Sequence, residues 1–379
     1  MRLQLRRIAL FALLAFALVF ATSFAFADEV SGGVTGAVMA RNNYYLERST
    51  RVVAPEVGAR LDFPSGATVE AVYLVDAITS ASLAAGALED VAFTELRHDV
   101  RATLGRRLTI DENPVQLAAT FRRSHEPDYD SLSVSLFGAA ELNRRNTAVS
   151  FRLSFLSDEV RQTFRGRERT PTTMGFREEL RGAGVALGLT QLLTPRAYVG
   201  ADYEFYVLEG FTANAYRRVL TAGTPLPEHH PETRKRHTVA TRLAVMFPEL
   251  ATSLHLHVRL YRDDWDILAA TPEARVYTKL GSFSHLRLRY RYYKQGAAFF
   301  YRADGEYLPT DPFVTADPKM APFQSHLLGG QLKLFLDFLD EGRFKRLRGA
   351  SFDVGFEYIF STSAYGNGTI TQAGLVIPF

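Results

Sequence analysis

Charged side chains recur at every second position in several stretches of this chain. Arg287, Arg289 and Arg291 form one row, Glu95, Arg97 and Asp99 (continued by Arg101) a second, and His255, His257 and Arg259 a third. Asp202 with Glu204, Arg275 with Lys279, and the single residues Glu70, Asp76 and Arg242 fall in the same polar phase of their own segments. A period of two puts these residues on one face of an extended chain. Such a row is a wall of fixed charge, which attracts and orients ions and polar solutes. It is not the nucleophile–base–orienter grouping of covalent catalysis.

Other groupings point to weaker chemistry. Glu126, Asp128 and Asp130 offer oxygens to Ca²⁺ but supply only part of the six to eight that this ion takes. His229, His230 and His237 have donors for a transition metal, yet the intervening Arg234-Lys235-Arg236 repels a cation and suits an anionic sugar or phosphate instead. His98, with Ser80 or Ser82 across the preceding connection, is the one pairing that suggests a lipid hydrolase, and it has no third partner in the sequence. G-x-S-x-G, H-E-x-x-H and phosphate-loop patterns are absent from the sequence. With no Cys, thiolate sites and disulfides are excluded. No cofactor or metal is expected.

The elements that must position these charges read as strands. Along Ser253 to Asp263, His255, His257, Arg259, Tyr261 and Asp263 alternate with Leu254, Leu256, Val258 and Leu260. His285 to Tyr293 and Ser351 to Ser361 alternate in the same way, as do 93–105, 131–143 and 196–208. The pattern predicts an all-β chain of about sixteen antiparallel strands, with fourteen or eighteen also compatible. They begin near Gly33, Arg51, Ala67, Ala92, Val115, Ser131, Thr147, Gly182, Arg196, Thr238, Ala251, Glu273, His285, Pro322, Ala350 and Thr369. At 47% apolar and 22% charged residues, the chain has too much core material to be disordered.

The first 27 residues differ from the rest. Arg2, Arg6 and Arg7 precede an apolar run from Ile8 that ends in Ala25-Phe26-Ala27, the form of a secretory signal peptide cleaved after Ala27. Residues 28–379 are then one exported domain. Without the leader, 41 basic residues stand against 41 acidic ones, so the mature chain gives no case for nucleic-acid binding.

A soluble β-sandwich alternates too, but three features favour a membrane barrel. Charges repeat on one face while the other is Leu, Val, Phe and Tyr. Aromatic doublets and triplets (Tyr44-Tyr45, Tyr292-Tyr293, Phe299-Phe300-Tyr301) sit at strand ends, as in interfacial girdles. The chain ends on a strand whose outward face is Thr371, Ala373, Leu375, Ile377 and Phe379. That ending looks like the closing strand of bacterial outer-membrane barrels, where a terminal aromatic is the assembly signal. The segments Asp76 to Ser82 and His125 to Ser131 resemble rim motifs of a porin-like bacterial barrel family of unknown function. The resemblance implies a transmembrane β-barrel in the bacterial outer membrane, inserted by the barrel assembly machinery and surrounded by outer-membrane lipid. It implies no activity.

Connections mostly alternate between long and short, with the long ones (81–91, 159–180, 210–237, 297–321) on the side away from both chain ends; the long turn 339–349 and the short loops 125–130 and 365–368 are exceptions. A barrel of this size leaves an aqueous lumen unless something fills it. Eight strands apart, an acid-containing wall (Glu70, Asp76, Glu95, Asp99) faces a basic one (Arg275, Lys279, Arg287, Arg289, Arg291). The expectation is a passive channel for small polar solutes with a mild anion bias. Two alternatives stay open: a closed structural or surface-binding barrel, whose charges only pair with their neighbours, and a lipid-modifying hydrolase.

Overall fold

The computed structural model describes residues 33–80, 93–165, 171–339 and 347–379. The signal segment and the whole connection 81–92, Ser82 included, lie outside the described residues. Among the described residues eighteen strands follow one another: β1 (Thr35–Glu47), β2 (Thr50–Asp62), β3 (Ala67–Ser80), β4 (Phe93–Ile110), β5 (Asn113–His125), β6 (Tyr129–Leu142), β7 (Thr147–Arg165), β8 (Pro171–Thr194) and β9 (Ala197–Gly210). Then come β10 (Arg218–Thr221), β11 (Thr224–Pro227), β12 (Thr233–Phe247), β13 (Thr252–Asp263), β14 (Leu268–Lys279), β15 (Ser284–Gln295), β16 (Phe323–Phe335), β17 (Ser351–Ser361) and β18 (Gly368–Pro378). Sixteen of them pair antiparallel into a closed barrel, and β10 with β11 makes a separate hairpin. Closure leaves no unpaired sheet edge, the condition for backbone to cross a bilayer in strand form.

The seam is β1 against β18, with Ala37 opposite Pro378 and Glu47 opposite Gly368. Phe379 and Gly36 exchange both backbone hydrogen bonds at 2.9 Å, and a Cβ on Gly36 would strike the Phe379 ring. The terminal aromatic thus lies across the seam. Beside it Val38, Leu375 and Ile377 pack with Leu347 and Ala350 from the last inner turn.

Register separates the two faces. The outward face carries exposed large apolar residues such as Leu104, Leu187, Leu260, Leu288 and Phe356. In water such a surface would be an aggregation liability; in a bilayer it is the required contact. Two-residue turns join β4 to β5 and β8 to β9 at the end of the barrel where β1 begins and β18 ends, while the 211–232 and 296–322 connections lie at the other end. By the usual rule of short periplasmic turns, the long connections face outward from the cell.

Three boundaries differ from the sequence reading, and one of them is β12, which starts at Thr233 instead of near Thr238 and so takes in the end of the expected loop 210–237. The expected loop 159–180 is mostly strand: β7 continues to Arg165 and β8 starts at Pro171, in register with each other. This extension continues both strands toward the end of the barrel that carries the long connections. β14 begins at Leu268 instead of near Glu273, with Pro272 inside it; between Ala270 and Glu273 no pairing to β15 is made. A proline has no N–H for the ladder, so it sits where the ladder is interrupted.

Candidate functional site: the charged interior and its outer cap

Cross-strand partners share a face, so register carries each predicted charge to its neighbours. On β3 and β4, Asp76 lies opposite Arg97 and is hydrogen-bonded to it; Leu74 lies opposite Asp99. Arg122 of β5 reaches Asp99 at 2.7 Å. Glu70 and Glu95 share this inward face, and Arg101 lies opposite Arg122. On β9 and β12, Arg242 pairs with Asp202 at 2.9 Å and lies over Gly200, where any Cβ would collide with it. Glu204 lies opposite Thr238 on the same face and makes no ion pair among the described residues.

The far wall is not purely basic. Glu273, buried on β14, accepts from Arg289 at 2.9 Å and Arg291 at 2.5 Å, and also binds Arg275. Glu357 on β17 takes Arg289 at 2.9 Å and Arg287 at 3.2 Å. Two acids therefore hold four arginines through the shared Arg289. The sequence reading missed both carboxylates as members of this wall, although each falls in the inward phase of its strand. His255, His257 and Arg259 face inward on β13, opposite Arg275, Glu273 and Thr271. Lys279 ends β14 opposite His285. Arg259 and Lys279 form no ion pair among the described residues, and Arg259 only reaches the Thr238 hydroxyl at 3.5 Å.

Two cavities follow this wall. One, of about 410 Å³, is lined by His257, Arg259, Glu273, Arg275 and Arg291. The other, of about 400 Å³, lies nearer the outer mouth and includes Arg234, Arg236, Arg259 and Lys319. They share Arg259, Thr271 and Tyr293.

Above them the long connections fold onto one another. Trp265 is 2% exposed and packs with Ile267, Ala298, Phe300 and Met320. His229 and Val314 exchange backbone hydrogen bonds of 3.0 and 2.8 Å, which ties the 211–232 and 296–322 connections together. Tyr216 donates to Asp128 at 2.7 Å, and Gln162 donates to the Ala215 carbonyl, so this layer reaches the β5–β6 and β7 side of the ring. Its anchor is Glu228, whose side chain is fully buried beside Arg217 (3.5 Å) and His230 (3.3 Å). Burial alone would raise the Glu228 carboxyl, but the hydrogen bond and charge of His230, with Arg217 and Thr315, hold it down to about 2. Arg217 also meets Asp317 at 3.0 Å.

Several expected groupings do not form. His229 faces the Pro312 carbonyl, His230 faces Glu228, and His237 sits on the outer wall against the Tyr203 hydroxyl, so the three histidines share no metal site. Asp130 is taken by His125 and Arg161, while Glu126 and Asp128 approach Glu95 instead. Burial, then Asp128, push the Glu126 carboxyl up, with Arg97 and His125 opposing. His98 faces outward, its Nδ1 2.8 Å from the Tyr73 hydroxyl. The basic run 234–236 is strand, not surface loop: Arg234 and Arg236 share the face of Arg242, and Lys235 the opposite one. The aromatic doublets divide likewise. Tyr292 points outward to Gln324 and Tyr293 inward to Gln295, since adjacent strand residues take opposite faces. Phe300 belongs to the cap core rather than to a girdle.

A search of curated proteins returns no match. Among solved structures, a bacterial polysaccharide outer membrane secretin aligns with a TM-score of 0.51 at 9% identity, covering 93% of this chain and 100% of that one. A variant of OccD1 (OprD) aligns at 0.46 and 9%, covering 93% and 97%. The outer membrane protein OpdK of Pseudomonas aeruginosa aligns at 0.42 and 9%, covering 91% and 98%. The secretin likeness is one of fold: a closed barrel of the bacterial outer-membrane type. A family model described as protein of unknown function, DUF3570, matches residues 83–376, and the chain belongs to that family.

Proposed function

We propose that the mature chain, from Asp28 onward, is a passive outer-membrane channel for small polar solutes with a preference for anions. The observation that carries this reading is the pair of adjoining interior cavities along β12–β16, which share Arg259 and are lined by more cations than acids. Fixed positive charge in a confined aqueous space concentrates anions and raises the barrier to cations. Insertion would use the barrel assembly machinery through the β18 strand and Phe379, and outer-membrane lipid would cover the apolar face.

Single-channel recording of the refolded mature chain in a planar bilayer tests it. Stable conductance steps are expected, with a reversal potential in a salt gradient of the anion-selective sign. A cation-selective sign would overturn the charge assignment. A second reading, a barrel closed at its outer mouth that binds a ligand there, is favoured by the packed layer around Trp265 and Glu228. Silence from a barrel shown folded by its heat-modifiable gel shift would select it.

A further inference from the structure

Most interior arginines are matched to a carboxylate; Arg236 is not. It projects inward from β12 opposite Tyr206 and Asp263, and its Nε is buried with no hydrogen-bond partner. Asp263 cannot serve it. One oxygen of Asp263 accepts the backbone N–H groups of Trp265 and Ile267 at 3.1 and 2.9 Å. The other accepts two bonds from Arg234, at 2.9 and 2.5 Å, and the Tyr261 hydroxyl at 2.7 Å. Every lone pair of that carboxylate is in use.

Arg236 lines the cavity of about 400 Å³ directly beneath the loop layer. Arg259 and Lys319 line it too, neither in an ion pair among the described residues, and no carboxylate does. The remaining wall is apolar where Ile267, Met320 and Phe323 meet it. A concave space lined by both cations and apolar side chains is complementary to a ligand that carries an anionic group on an apolar body. A buried donor without an acceptor, as the Arg236 Nε–H is, is costly unless something supplies one.

We propose that this vestibule binds a small organic anion, its carboxylate-type head on Arg236, Arg259 and Lys319 and its apolar body against Met320 and Phe323. The site deepens the channel reading by naming a solute class, yet binding itself does not require conduction. A planar aromatic carboxylate matches both the fork geometry of arginine and the apolar wall.

Calorimetric titration of the refolded full barrel with benzoate, benzamide and inorganic phosphate tests it, alongside bilayer current recorded with each solute on the loop side. Benzoate is expected to bind, the isosteric neutral benzamide to bind at least about tenfold more weakly, and R236Q and K319Q each to weaken benzoate about tenfold, as loss of one charge-assisted contact predicts. K319Q lies in a loop outside the barrel wall and keeps the test independent of any folding defect in R236Q. Equal binding of benzoate and benzamide, or unchanged binding in both variants, would overturn the site. Phosphate binding as tightly as benzoate would overturn the organic class. A conducting barrel that ignores benzoate would remove the site and leave the channel; benzoate binding to a silent barrel would do the reverse.

Discussion

The two half-walls of the barrel handle charge differently. On β2 to β5 three ion pairs form one to one, Arg60 with Asp62, Arg97 with Asp76 and Arg122 with Asp99, while Arg101 makes none among the described residues. On β14 to β17 two buried acids each serve several arginines, and Lys279 of β14, like Arg236 of β12 and Arg259 of β13, forms no ion pair among the described residues. Pairing alone therefore does not cancel the asymmetry read from the alternating rows. The first wall consists of local dipoles together with Glu70, Glu95 and Arg101, while the second keeps net positive charge. The comparison also explains why no single pair is equivalent to any other: removing an acid from the second wall exposes several cations to one another.

Glu273→Gln is the change that breaks the comparison hardest. It leaves Arg275, Arg289 and Arg291 crowded about a neutral amide in a buried position, and is expected to cost about 3 kcal/mol, as loss of one partner of a buried charge cluster does. Asp99→Asn on the other wall is expected to cost about 1 kcal/mol, because Arg122 is half-exposed and can turn to water. Urea unfolding of the refolded barrels in lipid, read by the gel shift, compares the two. Equal costs would mean the walls are alike.

How much of this was legible in the sequence follows from where alternation has a physical cause. Inside the bilayer one face meets lipid and the other water, so strand positions such as Ser253 to Asp263 announce themselves, and register does the rest. Beyond the bilayer that cause disappears. The β7–β8 extension and the β10–β11 hairpin are held by backbone pairing that no side-chain pattern reports. The cap is invisible for another reason: Trp265, Phe300, Met320 and Glu228 come from three connections far apart in the chain, and only folding brings them together. Arg236 was hidden by its neighbours, since Arg234-Lys235-Arg236 reads as one basic run until the strand phase is extended back from Arg242.

The cap offers an effect confined to the outer mouth, and a built-in reporter. Trp265 is the single tryptophan and lies in its core. Glu228 has a folded value of about 2 against an ordinary value near 4.5, so its contribution is fully present above about 4.5 and fades as pH falls towards 2. The difference corresponds to roughly 3 kcal/mol for a fully buried carboxylate. Acidification across that window should red-shift Trp265 emission as the layer loosens, while the barrel keeps its gel shift. Glu228→Gln should show the red-shifted emission already at pH 7. A Trp265 spectrum indifferent to both would mean that the cap does not depend on this carboxylate.

The smallest effect is the one that separates lone charge from paired charge most directly. Reversing Arg287, Arg289 and Arg291 together is the obvious test of anion preference in the sequence, yet these residues also hold Glu273 and Glu357, and the variant would lose its wall as well as its sign. Neutralising single residues avoids that. A lone cation acts on a passing ion as a monopole, worth up to about fivefold in permeability ratio at close approach in water. An arginine held against a carboxylate acts as a dipole, and its field fades well within one screening length. Arg259→Gln and Lys279→Gln are therefore each expected to move the reversal potential toward zero, and Arg287→Gln, at 3.2 Å from Glu357, to move it less. If Arg287→Gln shifts it as far as Arg259→Gln, the pairing seen on the second wall does not screen, and the preference belongs to the whole row rather than to the cations that stand alone.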